Sequence, residues 1–585
     1  MRSSEPNACK LSARSCIHLG SMNTASTDEG IAARRHSSES PSGCDSGTKD
    51  PAMRKLELTD IFGEYGAFQR VVFIFAVTIS MFGAYHNLIV TIVAPNVDHW
   101  CARTEGHDNL TVDEWKENYL PRVTVDGITT HSQCQYYANS TNGTLEAIQC
   151  NRWEYDTSFY RRTIVQEWDL VCSNKWYVSL SQSTYMAGYM TSMIIFGQLS
   201  DRIGRKTVIG IAFCVLLLSG FSTLVASSFV AFVSLRFFVS FGVSGVGSTA
   251  FVLLMEVIGP RLRSLFGLAY EFGWATGYLV LAMVAYFIRD WFYIQLVAMI
   301  GALVLLIGFR TLPESPRWLM ANKQFDKAWK VIDYAIERNE VDREEARRKF
   351  DLLREECEKD EPRKLLGRAN LQHLLGHRRL RRRTLIVFAC WFVNSFTYYA
   401  MSLNTNDLGG NPFINFAIAG AVEFPAYAIS IFIINKLGRR PSQSGCMILA
   451  GVACALTIPF SGDTLWLKIT FAMIGKFLIT ASYGILYVYS AEIYPTVVRQ
   501  IGMGSSSTIA RFGAMIAPFV RELGSATDKR VPFAVYSAIC ILSGLSVILL
   551  PETTGVQLPD TIAEGEAFPA KEKKTKQEAS NVTGV

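Results

Sequence analysis

Long apolar runs dominate the sequence, and two of them are joined by the short charged turn GQLSDRIGRK at residues 197–206. The runs on either side, about residues 176–199 and 207–226, each reach the roughly 20 residues that an α-helix needs to cross the hydrocarbon of a bilayer. The basic residues of the turn favour the cytosolic side, because lysine and arginine accumulate in cytosolic loops. The turn is therefore predicted to join two membrane-spanning helices on the cytosolic side.

Three features of such hairpins recur later in the chain, in the same order and at nearly constant spacing. They are a Gly-Arg pair, a glutamate and a Pro-Glu pair, whose copies lie 234, 236 and 238 residues apart: Gly204 and Gly438, Glu256 and Glu492, Pro313 and Pro551. A constant spacing of this kind is typical of duplicated halves. We therefore expect two related halves.

Composition agrees with a protein that spans the membrane several times. Apolar residues make up 49% of the 585 residues, charged residues only 18%, and the mean hydropathy is +0.19. Soluble domains usually carry more charge. The net charge of +6 does not indicate nucleic-acid binding, because the basic residues gather in alternate loops.

Twelve apolar segments are predicted to be membrane-spanning helices, which gives an all-α membrane protein with six helices in each half. Arg54 and Lys55 precede the first segment and place the N-terminus in the cytosol, so both termini are expected to be cytosolic. The segments lie near residues 69–94, 176–199, 207–226, 229–255, 265–287, 291–311, 384–402, 412–434, 442–460, 464–489, 500–523 and 531–550.

These segments divide the chain into regions. We expect a disordered cytosolic N-terminus because its residues are polar and small, an N-terminal half, a cytosolic linker, a C-terminal half and a lysine-rich cytosolic tail. The respective residues are 1–65, 66–313, 314–383, 384–552 and 553–585. In the linker, the basic run at residues 377–383 abuts the seventh span and is predicted to bind lipid headgroups.

The long polar insert at residues 96–174 is predicted to be extracellular. It contains three glycosylation sequons, beginning at Asn109, Asn139 and Asn142. It also holds four of the 13 cysteines, which permit two disulfides of undetermined connectivity: Cys101, Cys134, Cys150 and Cys172. Sequons and an even set of cysteines in one loop fit an oxidising compartment.

Several of these stretches resemble a known family. Residues 197–206 look like the signature loop of the major facilitator superfamily, and PESPRWL at 313–319 is similar to the run that closes the sixth span in its sugar and organic-ion branches. The large first loop is similar to that of organic cation, organic anion and carnitine transporters, and sugar porters lack it. AYFIRDW at 285–291 and YVYSAEIYPTVVR at 487–499 resemble the organic cation and carnitine group. The resemblance covers about residues 55–560 and implies solute transport by alternating access.

Four charged residues inside the predicted spans require an explanation, because a charge in mid-membrane is costly unless it faces protein or water. They are Glu271, Glu423, Lys476 and Arg511. Glu271 and Arg511 lie on corresponding helices of the two halves and are expected to face one central cavity and bind substrate. The alternative is that each is neutralised by a neighbour such as Lys476 and does not touch substrate.

The resemblance bears on the charge of the substrate. Arg511 stands where organic cation carriers have Asp and where carnitine and anion carriers have Arg, whereas Glu271 stands where these relatives have an uncharged residue. Tyr270 matches a carnitine-type position, but Val246 and Gly247 replace a polar pair of the fourth span. This departure argues against carnitine itself.

Two pairs of aromatic residues have helical spacing and are candidates for an aromatic cage around an onium group. Trp391 and Tyr398 are seven residues apart on the seventh helix, and Tyr483 and Tyr487 are four apart on the tenth. The alternative interpretation is aromatic packing between helices.

A second group of residues is expected to form a cytosolic gate that holds one conformation closed. Arg236 and Glu256 are placed near the cytosolic end of the fourth span, and Glu492 has the same position in the tenth. The predicted gating residues are Asp201, Arg202, Gly204, Arg205, Glu256, Glu492 and Arg499.

The sequence thus predicts a polyspecific secondary transporter in the plasma membrane that moves organic cations, with zwitterions as further substrates. The alternatives are an organic anion or carnitine-type transporter, or a nutrient-sensing receptor that has kept a carrier fold. No enzyme activity, cofactor or metal is expected, because no nucleophile with a base, P-loop or histidine cluster occurs. Membrane lipid, and sodium for zwitterions, are the expected partners, and nucleic acid is not.

Overall fold

The computed structural model describes residues 56–104, 109–125, 128–139, 145–359, 371–460, 464–528, 530–556, 559 and 561–568. These residues belong to two compact units. The first unit contains residues 56–71, 253–263 and 313–359, and the second contains the remainder.

Helices account for most of the described chain. In chain order they are α1 (Thr59–Phe62), α2 (Ala67–Val93), α3 (Val112–Tyr119), α4 (Ile164–Glu167), α5 (Trp176–Ile203), α6 (Arg205–Leu224), α7 (Phe229–Val257), α8 (Arg263–Ile288), α9 (Trp291–Phe309), α10 (Pro316–Ala321), α11 (Phe325–Asn339), α12 (Arg343–Lys359), α13 (Leu371–Gly376), α14 (Arg378–Leu403), α15 (Pro412–Ala421), α16 (Glu423–Leu437), α17 (Arg439–Leu456), α18 (Leu465–Ile493), α19 (Arg499–Ala526), α20 (Val531–Val547) and α21 (Ile562–Ala567). The predicted spans correspond to α2, α5–α9 and α14–α20.

Within the described residues, eight spans are long and apolar enough to cross a membrane by length and composition alone: α2, α6, α7, α8, α9, α14, α15 with α16, and α18. The other predicted spans, α5, α17, α19 and α20, are helical but shorter or more polar. In α5 and α19 the polar residues face each other. Ser179 donates to Glu522 Oε1 (3.0 Å) and Ser183 to the Met515 carbonyl (2.6 Å).

The eighth span is divided at Val422 into α15 and α16. Pro425 lies one turn beyond Ala421 and has no N–H to donate to its carbonyl, so the regular hydrogen-bond pattern is interrupted there. Glu423, the first residue of α16, is fully buried directly after this break.

The two Gly-Arg turns have the same backbone conformation. Gly204 ends α5 with φ +100°, and Gly438 ends α16 with φ +92°, a region that residues with a Cβ atom rarely adopt. The next helix begins at the following residue in both cases. The related halves inferred from spacing therefore share their turn geometry.

Close helix packing repeats as well. Gly277 of α8 and Gly513 of α19 lie 236 residues apart. A Cβ atom at either position would overlap a backbone carbonyl of the first helix of the same half, at Met81 or Phe392. The repeat thus fixes which helices approach most closely in each half.

The insert adds β-structure that the all-α prediction did not include. Three antiparallel pairs form from β1 (His99–Cys101) with β6 (Trp153–Tyr155), β2 (Arg122–Val125) with β3 (Ile128–His131), and β4 (Gln135–Asn139) with β5 (Leu145–Gln149). Disulfides join Cys101 to Cys150 and Cys134 to Cys172, which settles the connectivity. With only a small core around Trp100 and Trp115, the insert depends on these crosslinks.

The first unit shows that disorder does not extend through residues 56–65. Leu58 and Ile61 are fully buried around α1, and the first turn of α2 follows it. Asn339 at the end of α11 donates to the Phe62 carbonyl (2.7 Å) and accepts from the Phe68 N–H (3.0 Å). Residues 1–55, to which the prediction of disorder also applies, lie outside the described residues.

The basic run at residues 377–383, which forms the N-cap and first turns of α14, has protein partners. The Glu566 carboxylate of α21 accepts from the N–H groups of Arg379 and Leu380, both at 2.8 Å, and thereby caps the first turn of α14. Arg383 donates to the carbonyls of Gly565 and Phe568. The predicted role of the run in binding lipid headgroups stays a prediction, and part of it binds the C-terminal segment.

Candidate functional site

Glu271 and Arg511 come together in the second unit, from α8 of the N-terminal half and α19 of the C-terminal half. Both are half-buried and lie within electrostatic range of each other. Among the described residues, however, Glu271 has neither a hydrogen bond nor an ion pair. Its carboxylate is therefore available to a ligand.

Arg511 is surrounded by tyrosines rather than by carboxylates. Its guanidinium lies 4.3 Å from the ring centroid of Tyr189, with Tyr399, Tyr483 and Tyr487 in electrostatic range. Within the described part of the chain, its Nε is buried and has no hydrogen-bond partner. A cation held against aromatic rings, with a free N–H donor, suits a carboxylate ligand.

Three of the predicted aromatic residues form one cluster between α14 and α18. Trp391 is fully buried, donates to Ser490 Oγ (2.9 Å), and packs edge-on against Tyr487 and Tyr483, with ring centroids 4.5 and 5.8 Å away. Tyr487 is 39% exposed, and Tyr483 is half-buried. Both tyrosines lie within electrostatic range of Glu271, so the unpaired carboxylate and the aromatic cluster belong to one region of the protein.

The other two intramembrane charges neutralise each other. Lys476 Nζ lies 3.0 Å from Glu423 Oε1, and both side chains are almost completely buried. Lys476 also donates to Ser402 Oγ at 2.6 Å. Lys476 is thus the counterion of Glu423 and not of Glu271.

Tyr398 connects this pair to the other half of the protein. Its hydroxyl donates to Glu423 Oε1 (2.6 Å) and accepts from the indole N–H of Trp274 on α8 (2.7 Å). The Lys476 ammonium lies 3.3 Å from the centroid of the Tyr398 ring. The Lys476 ammonium therefore occupies one face of the Tyr398 ring, whereas an open aromatic cage would leave that face to a ligand.

Tyr270 is half-buried on α8, with its ring centroid 5.0 Å from that of Phe251. It lies within electrostatic range of Glu271 and Tyr189. A Cβ atom at Gly247 would come within 4.0 Å of the Tyr270 hydroxyl. Tyr270 therefore lies in the same region as Glu271 and Tyr189.

Several contacts join the two halves at the ends of the helices remote from Gly204 and Gly438. Besides the serine bonds between α5 and α19, the rings of Tyr278 and Phe416 lie 4.4 Å apart, and those of Tyr160 and Phe413 lie 5.1 Å apart. These contacts close the cluster on the side of the insert.

Five of the predicted gating residues lie around the two turns: Asp201, Arg202, Gly204, Arg205 and Glu492. Arg205 pairs with Asp201 (2.9 Å) within the first turn, next to the exposed Arg202. Around the second turn, Arg439 pairs with Glu492 (3.1 Å). These bonds lie within one half each, so a role in holding the halves together stays a prediction.

The other two predicted gating residues, Arg499 and Glu256, have partners of their own. Arg499 donates to the Tyr494 carbonyl (3.2 Å), and Glu256 lies near Arg263 at the start of α8. The prediction that Arg236 lies near the same end of the fourth span as Glu256 is wrong, because Arg236 lies near the start of α7 and Glu256 is its penultimate residue. Arg236 lies two turns after Phe229, is 5% exposed, and donates to Gln182 Oε1 (3.3 Å).

Of the sequons, Asn109 lies exposed in a turn before α3, and Asn139 is the last residue of β4. Asn142 lies outside the described residues. Their glycosylation stays a prediction.

Sequence reasoning missed Tyr189, Trp274 and Tyr278. Each lies in an apolar helix that contains other aromatic residues, so spacing alone gives no reason to select it. A signal existed for Trp274, which lies three residues after Glu271 and so one helical turn away.

Comparison with known proteins adds the family. Residues 125–562 match the family described as "Sugar (and other) transporter". The organic cation transporter protein of Drosophila melanogaster is 35% identical, over 87% of this chain and 94% of that protein. The organic cation/carnitine transporter 2 of Homo sapiens is 31% identical, over 86% of this chain and 93% of that protein.

Solved structures show the same fold. The partially occluded, inward-open xylose transporter XylE from E. coli matches with a TM-score of 0.57 and 15% identity, over 84% of this chain and 100% of that chain. At this identity the likeness establishes the fold alone.

Proposed function

Because the chain belongs to the sugar and other transporter family, in the organic-ion branch of the major facilitator superfamily, we propose that it carries organic cations and some zwitterions across the plasma membrane. Relatives named as organic cation and organic cation/carnitine transporters support this class of substrate. The chain is a transporter that spans the membrane several times, and not an enzyme.

The unpaired Glu271 carboxylate carries the proposal for cations. It is half-buried, lacks a hydrogen-bond or ion-pair partner among the described residues, and lies within electrostatic range of Tyr483, Tyr487 and Tyr270. An onium group gains about 0.5–2 kcal/mol from each aromatic face, in addition to its attraction to the carboxylate. Trp391 supports the two tyrosines from behind, and Tyr398 acts through its hydrogen bonds.

Arg511 supports a second class of substrate. Its Nε–H donor is free, and it forms no ion pair with any of the described residues. Both features favour a substrate with a carboxylate. A zwitterion would place its onium group at Glu271 and its carboxylate at Arg511. An organic anion would use Arg511 alone, which makes anion transport the second candidate function.

The driving force separates these substrates. A membrane potential of about 60 mV contributes roughly 1.4 kcal/mol per elementary charge, which corresponds to tenfold accumulation of a monovalent cation. A zwitterion gains nothing from the potential, so sodium is the proposed coupling ion for it. Depolarisation should lower cation uptake, and removal of sodium should lower only zwitterion uptake.

The test is uptake of radiolabelled tetraethylammonium and of a carboxylate-bearing onium compound by cells that express each variant. Glu271→Gln should reduce tetraethylammonium uptake about tenfold or more, and Arg511→Gln should reduce uptake of the carboxylate compound most. Glu117→Gln, at an exposed residue of the insert, is the matched control and should leave both unchanged. Unchanged cation uptake in Glu271→Gln would favour the anion transporter.

Glycosylation tests the orientation of the insert. Treatment of surface protein with a glycosidase should lower its apparent mass, and Asn109→Gln, Asn139→Gln and Asn142→Gln should account for the change. An unchanged mass would contradict the proposed extracellular position of the insert and, with it, the cytosolic termini.

A further inference from the structure

Lys476 is bound in the way that proteins bind a foreign ammonium ion. Its Nζ lies 3.0 Å from Glu423 Oε1, donates to Ser402 Oγ at 2.6 Å, and stands over the Tyr398 ring at 3.3 Å. The Tyr278 ring lies 5.5 Å away on another side. A carboxylate, a hydroxyl and two aromatic faces are the groups that recognise a small onium ligand.

The surroundings of Lys476 are built around a cation rather than around an ion pair alone. The Tyr398 hydroxyl donates to Glu423 Oε1 and accepts from the indole N–H of Trp274, so two hydrogen bonds fix the position of the ring. Glu423 Oε2 is buried and has no hydrogen-bond partner among the residues that the structure describes. The carboxylate therefore keeps an acceptor for a free ammonium ion, which can adjust its position in the site because it is not tethered to the chain as Lys476 is.

We propose that Glu423, Tyr398, Tyr278 and Ser402 form a binding site for a primary ammonium ion, and that the chain fills this site with its own Lys476. The site is distinct from Glu271, which has no such internal cation. Lys476 thereby excludes small amines and keeps Glu423 from acting on substrates at Glu271.

The size of the ligand follows from the side chain that fills the site. Next to Lys476 lies a cavity of only about 10 Å³, lined by residues including Met401, Asn404 and Tyr536, which suffices for about one water molecule. Space for a ligand must therefore come from the lysine itself. Replacing Lys476 by alanine removes three carbons and the nitrogen, which is the size of n-propylammonium.

The experiment measures the melting temperature of the purified full-length protein with and without n-propylammonium. Lys476→Ala should be stabilised by about 2 °C or more at saturating amine, because a ligand that binds only the folded state raises its stability. 1-Propanol, of similar shape but uncharged, should have no effect.

The matched control is the double variant K476A/E423Q, which lacks the carboxylate but keeps Glu271. Any response due to Glu271 will appear equally in the double variant and in the parent, so the result does not depend on the proposed substrate site. A response of Lys476→Ala no larger than that of the double variant would overturn the proposal.

Lys476→Ala leaves Glu423 buried without a counterion, so a second measurement covers the case in which this variant does not accumulate. In that case, cells grown with n-propylammonium should recover the variant at the surface, while 1-propanol should not recover it. Failure of the amine to restore Lys476→Ala, when K476A/E423Q accumulates normally, would also overturn the proposal.

Discussion

The four intramembrane charges are arranged in two contrasting ways. Glu423 and Lys476 form a 3.0 Å ion pair with almost no exposure, whereas Glu271 and Arg511 lie in range of each other without forming an ion pair. A paired buried charge is compensated and supports the fold, while an unpaired one keeps its attraction for a ligand. The contrast indicates a structural role for Glu423 and Lys476, and it supports the proposed role of Glu271 and Arg511 in substrate binding.

The largest expected effect is on the paired charges. Glu423→Gln leaves Lys476 buried without a counterion and should lower the free energy of unfolding by about 3–5 kcal/mol. Thermal unfolding and surface abundance measure this loss. The double variant E423Q/K476M, in which both groups are uncharged, should recover most of it. Equal stability of Glu423→Gln and the parent would contradict the role of the pair.

The unpaired charges should behave in the opposite way. Glu271→Gln and Arg511→Gln remove charges whose desolvation is not offset by an ion pair, so the melting temperature should stay constant or rise. The same measurement as for Glu423→Gln makes the comparison direct. A loss of stability as large as that of Glu423→Gln would mean that Glu271 and Arg511 are structural residues.

A smaller effect is expected where the paired charges are connected to the other half. Trp274→Phe removes the N–H that donates to the Tyr398 hydroxyl and so weakens the contact between the halves. The loss of one hydrogen bond of about 0.5–1.5 kcal/mol should shift the conformational equilibrium roughly two- to tenfold toward the state open to the outside. Ser183→Cys serves as a reporter that an impermeant thiol reagent labels from outside. The rate of labelling should be higher by this factor in the protein that also carries Trp274→Phe than in the protein that carries Ser183→Cys alone.

Trp466→Phe, at a residue that is 65% exposed, is the control for this experiment and should leave the labelling rate unchanged. Slower labelling in Trp274→Phe, or an equal acceleration in Trp466→Phe, would show that the bond between Trp274 and Tyr398 does not join the halves.

The smallest effect concerns a buried ionisable group outside the membrane. Burial lowers the pKa of His99 below its usual 6.5, although the Val97 carbonyl and Asp98 oppose the shift. The unfolded insert thus binds a proton more readily than the folded one. The stability of the insert should be fully present above pH 6.5 and be lost as the pH falls from there through the lowered pKa.

Hydrogen exchange of the insert between pH 7.5 and 5 measures this dependence, and His99→Gln should weaken it. His131→Gln, at a histidine whose side chain is 29% exposed, should retain it. A pH dependence that is identical in the parent and in His99→Gln would remove His99 from the explanation.

Sequence patterns predicted much of the fold because they depend on local properties. Hydropathy located each span to within a few residues, and Gly204 and Gly438 predicted the two turns because few other residues adopt their backbone conformation. The spacing of repeats predicted the halves and placed Glu271 and Arg511 near each other. Because successive spans run in opposite directions, the start of the fourth span, and with it Arg236, lies at the end remote from the Gly204 turn.

The partners of the buried groups were decided by tertiary structure alone. Four cysteines allow three pairings, and only the strand arrangement selects Cys101 with Cys150 and Cys134 with Cys172. Likewise, the sequence shows that Glu423 and Lys476 are charged and lie within spans, but not that they meet. Contacts between residues far apart in the chain depend on how helices rotate and pack, and a difference of one helical position turns a side chain by about 100°. The sequence therefore determined which residues carry charge into the membrane, and only the packing decided which of these charges are compensated.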